Sequence, residues 1–595
     1  MRVLKFYGYY FSKYKWSFAL VVFLIVLATY LQVKAPVYLG EVVAKLADWA
    51  MAYRGAGEAM NSQSTMPKLT DFNALMLKLL LAYLISSIII FSYSRLFSRL
   101  ISFITNQVRK DLFNKVGTLT IDFFDSHKDG EILSHFTSDL DNIQRALSQS
   151  FIQFLRNIAL YIGLIWIMFA KNSQLALLTI ATTPLALLFL VFIAKSVRRY
   201  TGQQQEEVSQ LNAYMDEKIS GQKVIIVQGL QQETIAKFID HNGRVRKAGY
   251  KGHLFSGLLL PLMNGLSLLN TAIVIFGGSV IVLSQQSLSK AIALGLIVTF
   301  VQYSQQYYQP ILQISASWGE IELALTGAAR IQKILELPEE DYLPHQEEFK
   351  ELRYGITIEK LGFAYPSAKK VLSDISIKVN KGEMVAVVGL TGSGKTTITN
   401  LINRFYDPDR GKITFDGRDI SEYGLSSLRQ QIGTVFQESV LFAGTIAENI
   451  KFGNPEASLE MVESAARAVK LHCFITGLPD KYETMISNDS NVFSTGQKQL
   501  ISIARTLLSD PQILILDEAT SNVDTVTESK LQSAIEMITS GRTSFVIAHR
   551  LKTILNADKI IVLKEGKVIE EGRHGDLLQR KGFYAELYRN QFVLE

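Results

Sequence analysis

Charge and cysteine are what this sequence is short of. Charged residues make up 19% of its 595 positions and apolar residues 48%, with a mean hydropathy of +0.16; an ordinary soluble chain carries about 25% charged residues. A surface that poor in charge argues against a wholly soluble protein, and the apolar content excludes a disordered or collagen-like one. The single cysteine, Cys473, excludes an internal disulfide framework and a cysteine-based metal cluster. The net charge is only +6, from 61 Lys+Arg and 55 Asp+Glu. The basic residues fall in discrete blocks, so nucleic acid is not an expected partner. By length the chain holds about three or four domains' worth of residues.

The apolar residues are concentrated before residue 325. Crossing about 30 Å of hydrocarbon takes roughly 20 residues of helix, and six runs qualify, at about 16–36, 72–94, 146–170, 172–194, 254–284 and 291–314. The first follows Arg2, Lys5, Lys13 and Lys15 but is too long for a signal core, so it reads as a retained span. Lys and Arg crowd the loops after the second and fourth spans, whereas Lys171 and Lys290 stand alone in the alternate ones. That bias puts both termini on the cytoplasmic side. The two inner loops, roughly 95–155 and 195–251, are long, lack proline and have helical periodicity, so spans two to five are predicted to continue as helices beyond the bilayer. His127–Gly130 is a natural tip. None of the six uncharged cores contains Asp or Glu, which argues against a proton relay as the energy source. In the sixth span Gln302, Tyr303, Gln305, Gln306, Tyr307, Tyr308 and Gln309 cluster before Pro310; they either pack between helices or line a wet, aromatic cavity.

From about Glu339 the character changes to short β-type runs alternating with helical ones, the pattern of an α/β domain. The fold class is therefore an α-helical membrane domain (1–325), a linker (326–345) and an α/β domain (346–595). Met384–Val388 and Ile513–Leu516 have the composition of buried parallel strands. Directly after the first comes Gly389-Leu390-Thr391-Gly392-Ser393-Gly394-Lys395-Thr396-Thr397 and then a helical run. This is the phosphate-binding loop in its strand–loop–helix setting. Its backbone N–H groups and helix N-terminus can face a polyphosphate, Lys395 supplies a charge to the β and γ phosphates, and Thr396 a hydroxyl for Mg²⁺. The second strand ends in Asp517, positioned for Mg²⁺, and Glu518, which can polarise an attacking water.

Together these residues resemble the ATP-binding cassette exporters, over essentially the whole chain. The resemblance implies further roles. Phe363-Ala364-Tyr365-Pro366 is similar to the adenine-stacking loop, with Tyr365 as platform. Val435–Glu438 is similar to the loop whose glutamine, here Gln437, reaches Mg²⁺ and the attacking water. Ser521–Asp524 resembles the loop that reaches across a dimer, through Asp524. Ile547–Arg550 resembles the switch segment, with His549 at the γ phosphate. The implied cofactors are ATP and Mg²⁺, the latter held by Thr396, Gln437 and Asp517, in part through water.

The resemblance breaks at the family's Leu-Ser-Gly-Gly-Gln signature. Here it reads Phe493-Ser494-Thr495-Gly496-Gln497, and the segment before it lacks the usual glutamate. In the family each ATP lies between the phosphate loop of one cassette and the signature of the other. A Cβ and γ-branch at Thr495 loosens backbone approach to the γ phosphate, while this chain's own Lys395, Asp517, Glu518 and His549 are intact. That combination resembles the consensus-Glu half of bacterial heterodimeric multidrug exporters. It implies a second half-transporter as partner, with a homodimer as the alternative, and a small hydrophobic substrate moved across the cell membrane. A lipid flippase and an ATP-gated sensor or channel that transports nothing are the other readings.

Overall fold

The computed structural model describes residues 2–58, 69–284, 289–340, 347–365, 370–437, 439–487, 493–517, 525–548 and 551–591. Two compact units emerge: Met1–Gly117 with Asp129–Leu337, and Thr118–Lys128 with Pro338–Glu595.

The first unit is helical. It comprises α1 (Arg2–Ser12), α2 (Lys15–Glu58), α3 (Leu69–Val116), then, after the excursion into the second unit through α4 (Ile121–Ser126), α5 (Asp129–Ser134), α6 (Leu140–Arg145), α7 (Ile152–Lys171), α8 (Ser173–Ile180), α9 (Thr183–Ser220), α10 (Gln222–Val227), α11 (Gln231–Ser284) and α12 (Lys290–Leu335). Two π-helical stretches, His135–Asp139 and Ala146–Phe151, flank α6. Among the described residues, five stretches are long and apolar enough to cross a membrane: Lys15–Met51, Thr70–Val116, Asp129–Lys171, Ser173–Ser220 and Gln231–Val282. The sixth expected span lies in α12, uncharged from Ala291 to Gly319, but its run of glutamine and tyrosine lowers its hydropathy.

Helical extensions are more general than expected. Spans two to five continue as predicted, but α2 and α12 also run well past 36 and 314. The fourth span is not one helix. Asn172 caps α8 by accepting from the Gln174 and Leu175 N–H groups (3.1 and 3.0 Å), and the chain breaks at Ala181–Thr182 before resuming in α9 with Pro184 near its start. Proline has no N–H to bond back to residue 180, so a break here costs little. The turn expected at His127–Gly130 narrows to His127 and Lys128: His127 caps the end of α4, and α5 already begins at Asp129.

The tyrosines of α12 are packing residues. Tyr303, Tyr307 and Tyr308 are buried. Tyr303 donates to the Val33 carbonyl (2.9 Å), Tyr307 meets the Tyr161 hydroxyl (2.7 Å), and Tyr308 meets Thr182. A phenol buried at membrane depth needs such a partner. Gln305 and Gln309 lie exposed on another face, with Gln302 and Gln306 half-buried. Where α2 crosses α12, Gly40 and Gly295 meet; a Cβ on either would collide with the other's carbonyl oxygen, so only glycine permits this approach.

Among the described residues the second unit has three sheets, the smallest an antiparallel pair of β7 (Gly444–Thr445) and β8 (Met485–Ile486). An antiparallel sheet has the order β2 (Leu372–Asn380), β1 (Gly355–Phe363), β4 (Arg410–Phe415), β5 (Arg418–Asp419). The main sheet has the order β12 (Lys567–Gly572), β11 (Lys559–Lys564), β3 (Met384–Gly389), β10 (Thr543–Ile547), β9 (Ile513–Asp517), β6 (Ile432–Val435). All its neighbours are parallel except β12. The inner residues of β3 and the first four of β9 are buried, as expected of strands covered on both faces. One core lies under the antiparallel sheet, around Ile358, Ile398 and Phe415, and a second packs helices on the other face, around Ile450, Leu500 and Val546.

Candidate functional site

The site is set by strand order. β10 lies between β3 and β9, pairing Val387 with Ile547 and Ile547 with Asp517. The phosphate loop leaves the carboxyl end of β3, and Asp517 ends β9 at the same edge. That is where parallel α/β sheets bind ligands.

The loop's shape depends on glycine. Gly392 and Gly394 have φ of +80° and +100°, a region costly for a residue with a Cβ. Gly394 then serves as N-cap of the eight-residue helix Lys395–Ile402, which offers unpaired N–H groups and the positive end of its dipole. Lys395 is 8% exposed. Its ammonium curls onto its own loop, donating to the carbonyls of Gly389 (2.9 Å) and Leu390 (3.1 Å). Burial pushes its pKa below the ordinary lysine value, and the Asp517 carboxylate opposes that shift. The Ser393 hydroxyl is buried without a hydrogen-bond partner, while Thr396 is exposed and Thr397 buried beside it. A buried cation resting on two carbonyls, an orphaned hydroxyl and an exposed one fit a polyphosphate with a divalent cation.

Tyr365 is half-buried. Its ring meets Phe363 and Tyr406 edge-on, with centroids 4.9 and 5.2 Å away, and its hydroxyl donates to Thr397 (3.3 Å). Gln437 is exposed just beyond β6, and its carbonyl accepts from the Gln499 side chain (3.4 Å). Gln499 was not among the expected residues. It is buried on the signature helix Thr495–Ser509, two residues past the motif, and only the folded chain brings it to Gln437. The signature starts that helix. Ser494 is the N-cap, its hydroxyl accepting from the Gln497 N–H (3.3 Å) while the Gln497 side chain accepts from the Ser494 N–H (2.9 Å). This capping box leaves Thr495 exposed in the first turn, with Gly496 buried. Phe493 is buried against Phe474 (centroids 5.9 Å), so the departure from leucine is accommodated in the core. Glu518, Asp524 and His549, together with Pro366 and Glu438, lie outside the described residues.

Sequence reasoning also missed how α4 belongs to this unit. The Glu340 N–H donates to the Thr118 carbonyl (2.8 Å), Leu119 bridges Glu339, and the Tyr406 hydroxyl donates to Asp125. Burial and that carboxylate both raise the Tyr406 pKa, which keeps the phenol protonated as donor. Arg429 grips Glu340 with two N–H groups (2.6 and 2.8 Å) and also donates to the Arg404 carbonyl (2.8 Å). Residues 118–128 and 338–340 are thereby tied into the unit that holds the phosphate loop.

Residues 18–311 match the model of the ABC transporter transmembrane region, and residues 372–521 that of the ABC transporter. The ABC transporter ATP-binding protein YfiC of Bacillus subtilis is 39% identical over 82% of this chain and 80% of its own length. The chain belongs to the ABC transporter family. Other relatives are a fatty acid ABC transporter ATP-binding/permease protein of Mycobacterium bovis (37% identical, 87% of this chain and 82% of that protein) and an ATP-dependent lipid A-core flippase of Syntrophus aciditrophicus (34%, 88% and 87%). This ABC transporter thus carries its membrane domain and its ATP-binding domain in one half-transporter chain, and family membership makes it an ATP hydrolase coupled to transport that works as a dimer in the bilayer.

Proposed function

We propose that this ABC transporter exports hydrophobic or amphipathic compounds across the cell membrane, in the multidrug manner, as the hydrolytically competent half of a heterodimer. The observation that carries the heterodimer is the contrast between an intact phosphate loop and Thr495 in the signature. Its β-branched side chain stands in the exposed first turn of the helix, where the family has glycine. The partner's signature then completes this chain's ATP site, and Phe493–Gln497 covers a partner site that need not turn over. Both termini and the ATPase domain are cytoplasmic in this reading, following the Lys/Arg bias; the membrane domain is 1–325, the linker 326–345 and the nucleotide-binding domain 346–595.

Lys395 leaves its own loop carbonyls for the phosphates, and Tyr365 stacks on adenine. Thr396, Asp517 and Gln437 would hold Mg²⁺. Bound Mg²⁺ would neutralise charge on the β and γ oxygens. Glu518 orients the attacking water and His549 donates to the γ phosphate. Asp524 reaches across the dimer. Binding energy closes the two cassettes, and α4, held to its cassette by Asp125 and Tyr406, carries that closure into the membrane helices. The amides of Gln302, Gln305, Gln306 and Gln309 support an amphipathic cargo. Uncharged dipoles at membrane depth are stable against water or a partner helix, not against lipid.

The test is to purify the chain alone and with its candidate partner and measure drug-stimulated ATPase. Full stimulation of the chain alone would overturn the heterodimer. A second reading, a lipid flippase of the same architecture, is favoured by the lipid A-core flippase among the relatives; ATPase stimulated by lipids but by no drug would select it.

A further inference from the structure

The first unit has an apolar groove of about 460 Å³ between α2 and α7, outside everything assigned above. Val26, Tyr30 and Val33 form one wall, Ile158, Ile162 and Trp166 the other. The volume falls in the range of small-molecule pockets, about 300–1,000 Å³. It follows two helices lengthwise, so its shape suits one extended chain. Tyr30, Ile162 and Trp166 are exposed along it.

One charged residue lines it, Lys34. Nineteen helical positions separate Lys15 from Lys34 in α2, about 28 Å at 1.5 Å each, close to the thickness of the hydrocarbon core, ~30 Å. With Lys15 at one boundary, Lys34 therefore stands at the headgroup level of the other, and the groove runs beneath it through the adjoining leaflet. The Lys34 ammonium lies 5.0 Å over the Tyr30 ring. Among the described residues it has no carboxylate within 4 Å: its side-chain partner is Tyr30, and Glu41, which is 4.0 Å from Lys171, acts on it only at longer range. Trp166 adds an amphipathic ring of the kind that sits at interfaces.

We propose that this groove binds a single-chain monoanionic amphiphile, a long-chain carboxylate, with its chain between α2 and α7 and its carboxylate on Lys34. Charge complementarity selects this occupant. A neutral lipid or a partner's apolar helix fills the groove equally well but leaves the ammonium with Tyr30 and no contacting anion at the rim of an apolar slot. One ammonium with no second cation in the lining suits a monoanion better than a phosphomonoester. Binding here is independent of which compound is exported.

The test uses the full chain in phosphatidylcholine nanodiscs with three photoactivatable probes: a long-chain fatty acid, the matching fatty alcohol and a phosphatidylcholine. Crosslinked peptides are mapped by mass spectrometry. The expected result is labelling of residues 26–34 and 155–167 by the acid, displaced by unlabelled acid, with the alcohol about fivefold weaker, as expected for one partly exposed ion pair. Lys34→Gln should bring the acid down to the level of the alcohol and Lys34→Arg should keep it high. The comparison of acid with alcohol on the unaltered chain needs no variant to fold. Equal labelling by acid and alcohol, absence of label from both segments, or phosphatidylcholine label there that the acid does not displace would each overturn the proposal. An ATP-induced thermal shift measured on the same samples reports the nucleotide site separately, so failure here leaves the exporter reading to its own test.

Discussion

Replacing Lys395 by alanine should separate nucleotide affinity from fold stability. In the unliganded protein the ammonium donates to two loop carbonyls at 2.9 and 3.1 Å, but its burial disfavours the charge and lowers its pKa. The two effects oppose each other, so the unliganded cassette should change by on the order of 1 kcal/mol. With nucleotide bound, the same ammonium makes charge-assisted contacts with phosphate, worth roughly 3 kcal/mol, or about 100-fold in Kd. At an ATP concentration about 100 times the unaltered Kd, binding stabilises the protein by ~2.7 kcal/mol, a rise of roughly 5–10 °C for a domain of this size. Lys395→Ala at the same concentration stands near its own Kd and gains only ~0.4 kcal/mol, about 1 °C. The four tryptophans, Trp16, Trp49, Trp166 and Trp318, all lie outside the cassette. A dye on the exposed Cys473 reports cassette unfolding instead. A full ATP-dependent shift in the variant would refute the role given to Lys395, and so would a collapse of unliganded stability by several kcal/mol. The sign with pH also follows. Phosphate raises the depressed pKa, so binding takes up protons as pH approaches the ordinary lysine value of about 10.4, and Lys395→Ala should abolish that uptake in calorimetry with paired buffers.

Thr495→Gly should raise ATP turnover of the chain assayed as a homodimer at least severalfold, since both sites then gain a close-approaching signature; unchanged turnover counts against the assignment of Thr495. Arg429→Met leaves the half-buried Glu340 carboxylate without its two-pronged partner and should cost about 2–4 kcal/mol of cassette stability, read as a drop of several degrees in the unfolding of Cys473-labelled protein. Asp416 accepts from three N–H groups, of Arg353, Tyr354 and Gly355 (2.7, 2.7 and 2.9 Å). Burial raises its pKa, but those bonds outweigh burial and leave it lowered. Its contribution is therefore full above its unfolded value of about 3.9 and lost as pH falls through the folded one, so Asp416→Asn should flatten the acid limb of the stability curve.

The parts legible in the sequence were those encoded by contiguous residues. Gly389–Thr397 announces a loop between strand and helix because its glycines, lysine and flanking apolar runs act locally. Two of the parallel strands of the main sheet, β3 and β9, show as apolar runs for the same reason. What escaped depends on partners far along the chain. Six residues are too few for periodicity to reveal α4, and its place with the cassette rests on Asp125 meeting Tyr406, 281 positions away. The tyrosines of α12 left packing and cavity open as readings until Val33, Tyr161 and Thr182 were found at their hydroxyls. The break in the fourth span did have a local sign, Thr182-Thr183-Pro184, outweighed by an uncharged run that reads as one helix.

The most direct measurement is steady-state ATP hydrolysis by the chain, reconstituted with its partner half, before and after Glu518→Gln. The expected result is unchanged nucleotide binding with turnover reduced by about two to three orders of magnitude, the scale of losing a water-orienting base. Undiminished hydrolysis in the variant, or no hydrolysis by the unaltered pair, would contradict the claim that this chain contributes the working carboxylate.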